Sequence, residues 1–459
     1  MQETQVSAEL LQRYDRPGPR YTSYPTAVEF HEGFTEADYK KHLQELDADQ
    51  QISLYIHLPF CEHRCTFCGC NVVITHMRDV AARYLEYLER EIELVCSYLP
   101  DRPPVIQYHW GGGTPTYFAP DQIRTLYATI DRHFDIRPEA EVAIEVDPRV
   151  TTREHVDALA ELGFNRLSMG VQDFTPEVQE AIGRNQDEET TRALYEYARE
   201  KGFGSINIDL IYGLPMQNAE TFGRNLESIL SLRPDRVALY SYAHVPWIKG
   251  HQKRIDTEQL PKGMEKLELF AQAIRAFSSS GYHSIGMDHF ALPDDELSLA
   301  LAERRLHRNF MGYTVHRAPT MIGMGITAIG DVDGAYVQSC KKLSTYYNSL
   351  EADEMPVEKG YELSNDDRIR RHVITELMCN SFLRTAEVEE RFAVDFADYF
   401  ALELEELESG PAADGLLELR PGELEATPLG QLFIRNISMI FDRYLREKKR
   451  DKPTFSRTV

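Results

Sequence analysis

Residues 54–71 read LYIHLPFCEHRCTFCGCN, an apolar run followed directly by a cysteine-rich loop. Cys61, Cys65 and Cys68 have the spacing C-x3-C-x2-C, which lets three thiolates from one short loop converge on one metal centre. Thiolates select soft metals and iron–sulfur clusters, whereas closed zinc sites usually take paired ligands from separate segments. Three protein ligands would leave one metal position open to a small molecule. A structural zinc knuckle or a group of redox-active thiols is the alternative.

The chain beyond this loop alternates between short apolar runs and longer stretches of helical period. The predicted strands are 52–58, 105–110, 141–147, 165–171, 205–212, 236–243 and 282–290. The predicted helices are 79–99, 119–134, 152–163, 176–202, 218–231 and 258–280. This alternation indicates a parallel sheet with helices outside it, either a barrel or a doubly wound sheet, with functional residues at the C-terminal strand ends. The cysteine loop follows the first predicted strand, and Gly111-Gly112-Gly113, Asp147 and Gln172 follow the next three.

The composition excludes some classes of protein. At 459 residues with 42% apolar residues, the chain is long enough for one barrel-sized domain and a smaller companion. The net charge of -24 argues against a nucleic-acid or anionic-membrane surface, because both need clustered Lys and Arg. The stretch from Met1 to Arg20 lacks a signal-peptide apolar run, and no run of about 18 apolar residues could span a bilayer. A cytoplasmic protein is therefore expected.

The seven cysteines fit a reducing compartment, where thiols stay free for metal. Four lie in the loop described above. The other three, Cys96, Cys340 and Cys379, stand alone and are expected to be buried small apolar residues.

The composition changes near residue 360. Asn365, which follows Ser364, is expected to cap a helix. An acidic amphipathic stretch from Glu387 to Glu408 is expected to be a solvated helix face. A final helix is predicted near 428–447, and the basic end from Arg443 to Lys452 is expected to be a frayed tail.

Several further motifs occur in a fixed order. They are Pro17-Gly18-Pro19-Arg20-Tyr21-Thr22-Ser23-Tyr24-Pro25-Thr26, Gly111-Gly112-Gly113-Thr114-Pro115, Glu145-Val146-Asp147-Pro148, Asn165-Arg166-Leu167-Ser168-Met169-Gly170-Val171-Gln172, Asn207-Ile208-Asp209-Leu210-Ile211-Tyr212-Gly213-Leu214-Pro215 and Gly286-Met287-Asp288-His289-Phe290. Together with the cysteine spacing and the extra Cys70, they resemble the oxygen-independent coproporphyrinogen III dehydrogenases of the radical S-adenosylmethionine (SAM) superfamily. The resemblance covers nearly the whole chain.

This resemblance implies a fold and an activity. The fold is α/β, an incomplete (β/α)6 radical SAM barrel with an N-terminal arm and a small, mainly helical C-terminal domain of winged-helix character. The predicted parts are the arm at 1–50, the partial barrel at 51–300, a connecting segment that closes the active site at 301–360, and the helical domain at 361–459. The implied activity is oxygen-independent oxidative decarboxylation of two propionates of coproporphyrinogen III to vinyl groups, by 5'-deoxyadenosyl radical chemistry. The product is protoporphyrinogen IX, in haem biosynthesis.

The resemblance also implies the cofactors and their residues. One 4Fe-4S cluster is expected on Cys61, Cys65 and Cys68, with two SAM molecules, one of them on the open iron. The positions that match the first SAM site are Tyr55, Phe67, Gly112, Glu145 and Ile329. Those that match the second are Gly113, Thr114, Gln172, Arg184, Asp209 and Ala243. The predicted catalytic residues are Tyr55, His57 and Cys70, of which Tyr55 and His57 alternate along one strand and face the same side.

Each of these assignments has an alternative. Cys70 could replace a cluster ligand rather than lie beside the cluster. His57 could be a hydrogen-bonded structural histidine, and Phe67 an ordinary core aromatic. The carboxylates and Arg184 could form a buried ion-pair network, and the glycines a simple tight turn.

The expected substrate carries four propionates, so arginines must outweigh the negative charge of the chain near it. Arg20 and Arg308 are the candidates, although Arg20 could instead anchor the N-terminal arm. An unidentified electron donor such as flavodoxin or ferredoxin is expected, with no nucleic acid, no membrane and a monomeric protein. The nearest rival is a radical SAM paralogue that carries haem as a chaperone or degrades it as a methyltransferase. A noncatalytic metal-binding scaffold is a rival of another class.

Overall fold

The computed structural model describes residues 7–448 and 455–458. In chain order the strands are β1 Ile52–Leu58, β2 Phe60–Cys61, β3 Val73–Ile74, β4 Pro104–Gly112, β5 Asp135–Val146, β6 Arg166–Gln172, β7 Ser205–Tyr212, β8 Arg236–Ser241, β9 His283–Ile285, β10 His289–Ala291, β11 His307–Asn309, β12 Gly312–Thr314, β13 Thr320–Met324, β14 Ile329–Val332, β15 Ala335–Ser339, β16 Val357–Glu362, β17 Phe382–Arg384, β18 Leu417–Arg420 and β19 Glu423–Ala426. The helices are α1 Ala8–Tyr14, α2 Glu36–Gln44, α3 Arg78–Cys96, α4 Pro120–His133, α5 Arg153–Glu161, α6 Pro176–Ile182, α7 Glu188–Glu200, α8 Ala219–Leu232, α9 Met264–Ser279, α10 Glu296–Ala302, α11 Leu343–Glu351, α12 Asn365–Asn380, α13 Thr385–Phe392, α14 Phe396–Tyr399, α15 Ala401–Leu407, α16 Ile434–Met439 and α17 Arg443–Glu447.

These elements form two compact units. The larger consists of Phe30–Tyr282 and Ala318–Glu362, and the smaller of the described residues of Met1–Glu29, His283–Arg317 and Leu363–Val459. The four consecutive parts expected from the sequence stay a prediction. None of the helices within the described residues combines the length and the apolar character needed to cross a membrane.

The larger unit is built on a parallel sheet. Its strands lie in the order β16-β15-β14-β13-β1-β4-β5-β6-β7-β8. From β13 to β8 every neighbouring pair is parallel, and β14 to β16 extend the sheet by antiparallel pairing. Each of the six strands β1, β4, β5, β6, β7 and β8 is followed by at least one helix. The α/β prediction is therefore confirmed, and the loops after these strands share one edge of the sheet.

Two predicted elements of this pattern are wrong. The helix over 176–202 is two helices, α6 and α7, because Gly183 ends α6 in the left-handed region (φ 65°). The strand over 282–290 is instead the antiparallel pair β9 and β10. Gly286 has φ 61°, which turns the chain back, and a Cβ on it would collide with the Tyr313 hydroxyl.

The C-terminal segment of the smaller unit is helical with a small antiparallel sheet, β17-β19-β18. Ser364 is the N-cap of α12 and accepts from the Asp367 N–H, so the cap expected at Asn365 lies one residue earlier. The final helix over 428–447 is broken into a 3-10 turn, α16 and α17, because Asp442 caps α17 anew.

The charged residues of this segment are less solvated than expected. Glu403, in the acidic stretch, is buried and accepts from Arg370 (2.9 Å) and Arg446 (3.1 Å). Arg443 is not frayed, since it pairs with Asp366 at 2.6 Å. Residues 449–454, which include Lys452, lie outside the described residues.

The three lone cysteines are free thiols, as all seven are. Cys340 and Cys379 are buried as expected, and Cys96 is half-buried.

A buried carboxylate on α3 ties that helix to the segment after β13 and to α11. Glu91 of α3 accepts from the Gly325 N–H (2.7 Å) and the Tyr346 hydroxyl (2.5 Å), both on Oε2. Nearby, the Tyr84 hydroxyl donates to the His57 carbonyl of β1 (2.7 Å). Burial raises the pKa of Glu91 to about 7.

Replacing Glu91 with Gln tests this buried charge. Because the folded protein keeps a proton that the unfolded chain releases, wild-type stability falls as pH rises from about 4.5 to about 7. Gln retains one oxygen for both donors and carries no charge. In urea titrations, the free energy of unfolding of Glu91→Gln should therefore be higher than that of the wild type by about 1–3 kcal/mol at pH 8, and by much less at pH 5. Glu86→Gln, on the exposed face of the same helix, is the control and should change little. An equal loss of stability at both pH values for Glu91→Gln would contradict the assignment.

Candidate active site

The cysteine loop is fixed at both ends and in the middle. Cys61 ends β2, which pairs in parallel with β3, so the chain returns beside Cys61 at Ile74. Between these ends, the Thr66 N–H donates to the Ile182 carbonyl at the end of α6 (2.9 Å). The loop is therefore shaped by the protein's own hydrogen bonds.

At least two of the three loop sulfurs lie more than 4.8 Å apart. Within the part of the chain that the structure describes, only His42, Glu45 and Asp333 bring three possible ligand atoms within 4.8 Å of one another. Sulfur ligands of one zinc ion lie about 3.8 Å apart, because each Zn–S bond is about 2.3 Å and the geometry is tetrahedral. The wider spacing disfavours a zinc knuckle and suits a larger iron–sulfur cluster.

Cys70 contacts Cys68 but is not part of the C-x3-C-x2-C motif. Its backbone N–H donates to Cys68 Sγ (3.4 Å). The neighbouring Cys70 thiol lowers the pKa of Cys68 to about 6, and the same pairing together with burial raises the pKa of Cys70. Cys68 is thus the readier thiolate, with Cys70 as its donor. That Cys70 is not itself a ligand stays a prediction.

Asp147, directly after β5, holds two guanidinium groups beside Cys65. Arg149 donates to it through Nε (3.0 Å) and Nη2 (2.7 Å), and Arg184 through Nη1 (3.0 Å). The same Nη2 and Nη1 atoms lie 3.7 and 3.8 Å from Cys65 Sγ. Burial disfavours the carboxylate, but the guanidinium groups outweigh it and hold the pKa of Asp147 below its usual value. We call Asp147, Arg149 and Arg184 the Asp147 clamp; it turns two positive charges toward one predicted cluster ligand.

Tyr55 and His57 meet on one face of β1. Tyr55 Oη lies 3.0 Å from His57 Nδ1, and His57 Nε2 lies 3.2 Å from the Asn71 carbonyl. Because a carbonyl can only accept, Nε2 carries the proton and Nδ1 accepts from the Tyr55 hydroxyl. Burial lowers the pKa of His57, which keeps the ring neutral. His57 therefore orients the Tyr55 hydroxyl in this structure.

The glycine turn after β4 is required by contacts within the protein. Gly112 has φ 115°, and a Cβ on it would lie 2.6 Å from the His57 ring. A Cβ on Gly113 would lie 2.5 Å from the Pro59 carbonyl carbon. The Gly113 N–H donates to the Leu58 carbonyl (2.9 Å), so the turn packs directly against the end of β1.

Two carboxylates on β5 and β7, the strands on either side of β6, have opposite pKa shifts. Glu145 accepts from the Gly112 N–H (3.1 Å) and lies 3.5 Å from His109 Nε2. Burial disfavours its ionised form, but these two partners outweigh it and hold the pKa of Glu145 below its usual value. Burial and then the charge of Glu145 raise the pKa of Asp209 to about 7, although Asn207 donates to it at 2.8 Å. A cation bound beside Asp209 would favour its ionised form.

Gln172 carries a polar atom without a partner. It ends β6 with φ 70°, a left-handed conformation that non-glycine residues rarely adopt. The side chain is buried, and among the described residues nothing donates to its Oε1 atom. Since buried acceptors are nearly always hydrogen-bonded, this oxygen is suited to a donor on a ligand, such as an ammonium or a hydroxyl group.

The other predicted cofactor residues lie at the same edge or close to it. Phe67 packs against a buried cluster of Val178, Ile182, Ile211, Leu214, Tyr242 and Ile255, as an ordinary core aromatic would. Thr114 Oγ1 lies 3.5 Å from Cys61 Sγ. The Ala243 carbonyl accepts from Gln252 Nε2 (3.2 Å), and Ile329 begins β14.

Three residues of the site were not predicted. Asp147 appeared only as part of a motif, and Arg149 and His109 were not singled out. The sequence Asp147-Pro148-Arg149 directly after a predicted strand, with two opposite charges at a turn, is a signal that could have found Arg149. His109 lies two residues before the glycine turn and gave no such signal.

The two arginines predicted to hold substrate both lie in the smaller unit. Arg20 forms an ion pair with Asp288, and Arg308 Nη1 donates to the Arg20 carbonyl (2.7 Å). The ion pair supports the interpretation of Arg20 as an anchor of the N-terminal arm. A role of either arginine toward the substrate stays a prediction.

Comparison with known proteins gives the class of this site. The model of the radical SAM superfamily matches residues 55–229, which run from Tyr55 to the helix after β7. The HemN C-terminal domain model matches residues 363–433. The larger unit is therefore a radical SAM fold, as the motifs predicted.

Full-length relatives define the family more closely. The oxygen-independent coproporphyrinogen III oxidase of Escherichia coli K12 is 44% identical and aligns over 100% of both chains. That of Synechocystis is 43% identical over 99% of this chain and 98% of its own. The solved structure described as coproporphyrinogen III oxidase (HemN) from Escherichia coli, a radical SAM enzyme, matches with a TM-score of 0.92 and 43% identity over 96% of this chain and 100% of that chain. The chain belongs to the oxygen-independent coproporphyrinogen III oxidase family.

Membership of this superfamily implies a 4Fe-4S cluster and SAM. The residues present fit both. Three spread thiols suit a cluster, and the unpaired Gln172 oxygen and the carboxylates of Glu145 and Asp209 suit the ammonium and hydroxyl groups of a nucleotide.

Removing the charge of Asp147 should loosen the clamp. Asp147→Asn leaves the buried guanidinium group of Arg184 and the half-buried one of Arg149 without their carboxylate, which should lower the free energy of unfolding of the cluster-free protein by about 2–4 kcal/mol. Asp157→Asn is the matched control, because Asp157 pairs with Lys201 at 2.6 Å on the surface and should cost less than about 1 kcal/mol. Urea titration at pH 7 measures both. Equal losses would show that the clamp is no more tightly coupled than a surface ion pair.

Proposed function

We propose that this chain catalyses the oxygen-independent oxidative decarboxylation of two propionates of coproporphyrinogen III to vinyl groups, giving protoporphyrinogen IX. The observation that carries the proposal is the similarity over full length to proteins named for this activity. The rival, a haem chaperone or haem-degrading methyltransferase of the same superfamily, has no comparable support. The free thiols of the loop and the wide spacing of its sulfurs are consistent with the proposal.

The cofactors would be held by residues already described. Cys61, Cys65 and Cys68 would hold three irons and leave the fourth for SAM. When bound, the cluster and SAM would supply one-electron radical chemistry, which would remove a hydrogen atom from the propionate carbon next to the pyrrole ring.

The chain's own residues would bind and orient the nucleotide. Gln172 Oε1 and the carboxylates of Glu145 and Asp209 accept from ammonium or hydroxyl groups, and Phe67 would pack on an adenine. A second SAM near Gly113, Thr114, Arg184 and Ala243 is also proposed. Arg184 would have to share its donors, because Gly170, Gln186 and Asp147 already accept from it.

Tyr55, His57 and Cys70 remain the proposed catalytic residues. His57 is neutral and accepts from Tyr55, so its role would be to fix the Tyr55 hydroxyl rather than to move a proton. Cys70 would act beside Cys68, to which it donates. We further propose a flavodoxin or ferredoxin as electron donor, a cytoplasmic location, a monomer, and no nucleic-acid or membrane partner.

Anaerobic reconstitution tests the proposed function. The protein is loaded with iron and sulfide, then given SAM, dithionite and coproporphyrinogen III, and the porphyrins are separated by chromatography. Two vinyl groups per substrate are expected. Cys65→Ser should lose at least about a hundredfold in product formation, because a missing ligand removes the cluster that the chemistry needs.

Cys96→Ser is the control, because Cys96 lies on α3, outside the cysteine loop, and should keep wild-type activity. Absence of any vinyl product, together with tight binding of haem by the wild type, would favour the chaperone instead.

A further inference from the structure

One surface segment of the larger unit stands out by its composition. Residues 244–254, which follow β8, read HVPWIKGHQKR and contain no carboxylate. We call this segment the basic face. Its Trp247 and Ile248 side chains are 61% and 57% exposed, which is unusual for large apolar residues.

Three cations of the basic face, Lys249, Lys253 and Arg254, are without an ion-pair partner among the described residues. Lys253 and Arg254 are exposed. The nearest acids along the chain are already engaged, since Asp256 caps the Glu258 N–H and Glu258 pairs with Lys262 at 3.4 Å. The basic face is therefore a locally positive surface on a chain whose net charge is -24.

The basic face also touches the cysteine loop directly. His251 Nε2 lies 2.8 Å from the Cys68 carbonyl, and the buried Gln252 donates to the Phe67 carbonyl (3.1 Å). The surface therefore lies one hydrogen bond from the backbone of a predicted cluster ligand.

We propose that the basic face is the docking surface for a small acidic protein that carries single electrons, such as a flavodoxin. This inference rests on the proposed function, which consumes one electron for each SAM cleaved; the carrier is oxidised by one electron as the cluster is reduced. Charge complementarity steers such encounters, and Trp is a residue type enriched at the energetic centres of interfaces. An acidic carrier seated there would bring its redox group close to the loop of Cys68.

The test uses reconstituted protein and purified flavodoxin. With reduced flavodoxin as donor, Lys253→Glu/Arg254→Glu should raise the KM for flavodoxin at least about tenfold in SAM cleavage, because two attractive charges become repulsive. SAM cleavage driven by dithionite, and the KM for coproporphyrinogen III, should stay within twofold of wild type. Lys41→Glu, which reverses the charge of an exposed lysine on α2 away from the basic face, is the control for a charge reversal elsewhere on the surface and should have no effect.

A binding measurement gives a readout independent of turnover. The chain has two tryptophans, of which Trp110 is buried and Trp247 exposed, so Trp247 reports on the basic face. Flavodoxin should quench this emission at low salt, less so at high salt, and least with the double variant. The Trp247→Phe variant, which lacks this emission, gives the background signal to be subtracted.

Three outcomes would overturn the proposal. The first is an unchanged KM for flavodoxin in the double variant, and the second is an equal effect of Lys41→Glu. The third is a raised KM for coproporphyrinogen III with unchanged flavodoxin kinetics, which would assign the face to the carboxylates of the substrate. If wild-type protein cleaves no SAM even with dithionite, the proposed function fails, and the fluorescence titration still decides whether flavodoxin docks.

Discussion

The site depends on how the end of β1 is held between two other segments. The Gly113 and Thr114 N–H groups donate to the carbonyls of Leu58 and Phe60, and on the far side the Val73 N–H donates to the Pro59 carbonyl. These bonds fix where the cysteine loop leaves the sheet and where it returns. They also explain the glycines, because a side chain at Gly113 would push the two strands apart. A loop fixed in this way can present three sulfurs before any metal arrives.

Charge around the loop is arranged in two parts. The Asp147 clamp turns guanidinium groups toward Cys65, where they would stabilise the negative charge of thiolates and of a reduced cluster. On β5 and β7, Glu145 is held ionised while Asp209 has a pKa of about 7. A ligand that carries both a carboxylate and cationic groups matches such a division. SAM has these groups, which agrees with membership of the radical SAM superfamily.

The sequence predicted the elements that repeat and missed those that depend on single turns. Strand and helix alternation follows from apolar period, so the parallel sheet could be recognised without a structure. The break at Gly183 could not be recognised, because a left-handed residue inside a helical pattern does not change the spacing of the apolar residues. That break nevertheless places Arg184 in the Asp147 clamp. Motif resemblance placed the cofactor residues at one sheet edge. Their partners, such as Arg149 and His109, come from packing between strands, which no linear pattern encodes.

Mössbauer spectroscopy of protein reconstituted anaerobically with 57Fe tests the central claim most directly. If three cysteines hold the cluster and one iron is open, adding SAM should change the isomer shift of one iron in four and leave the other three unaltered. A cluster whose four irons give the same spectrum with and without SAM would mean that the polypeptide already occupies every position. That result would contradict the account of the loop as a site with three protein ligands.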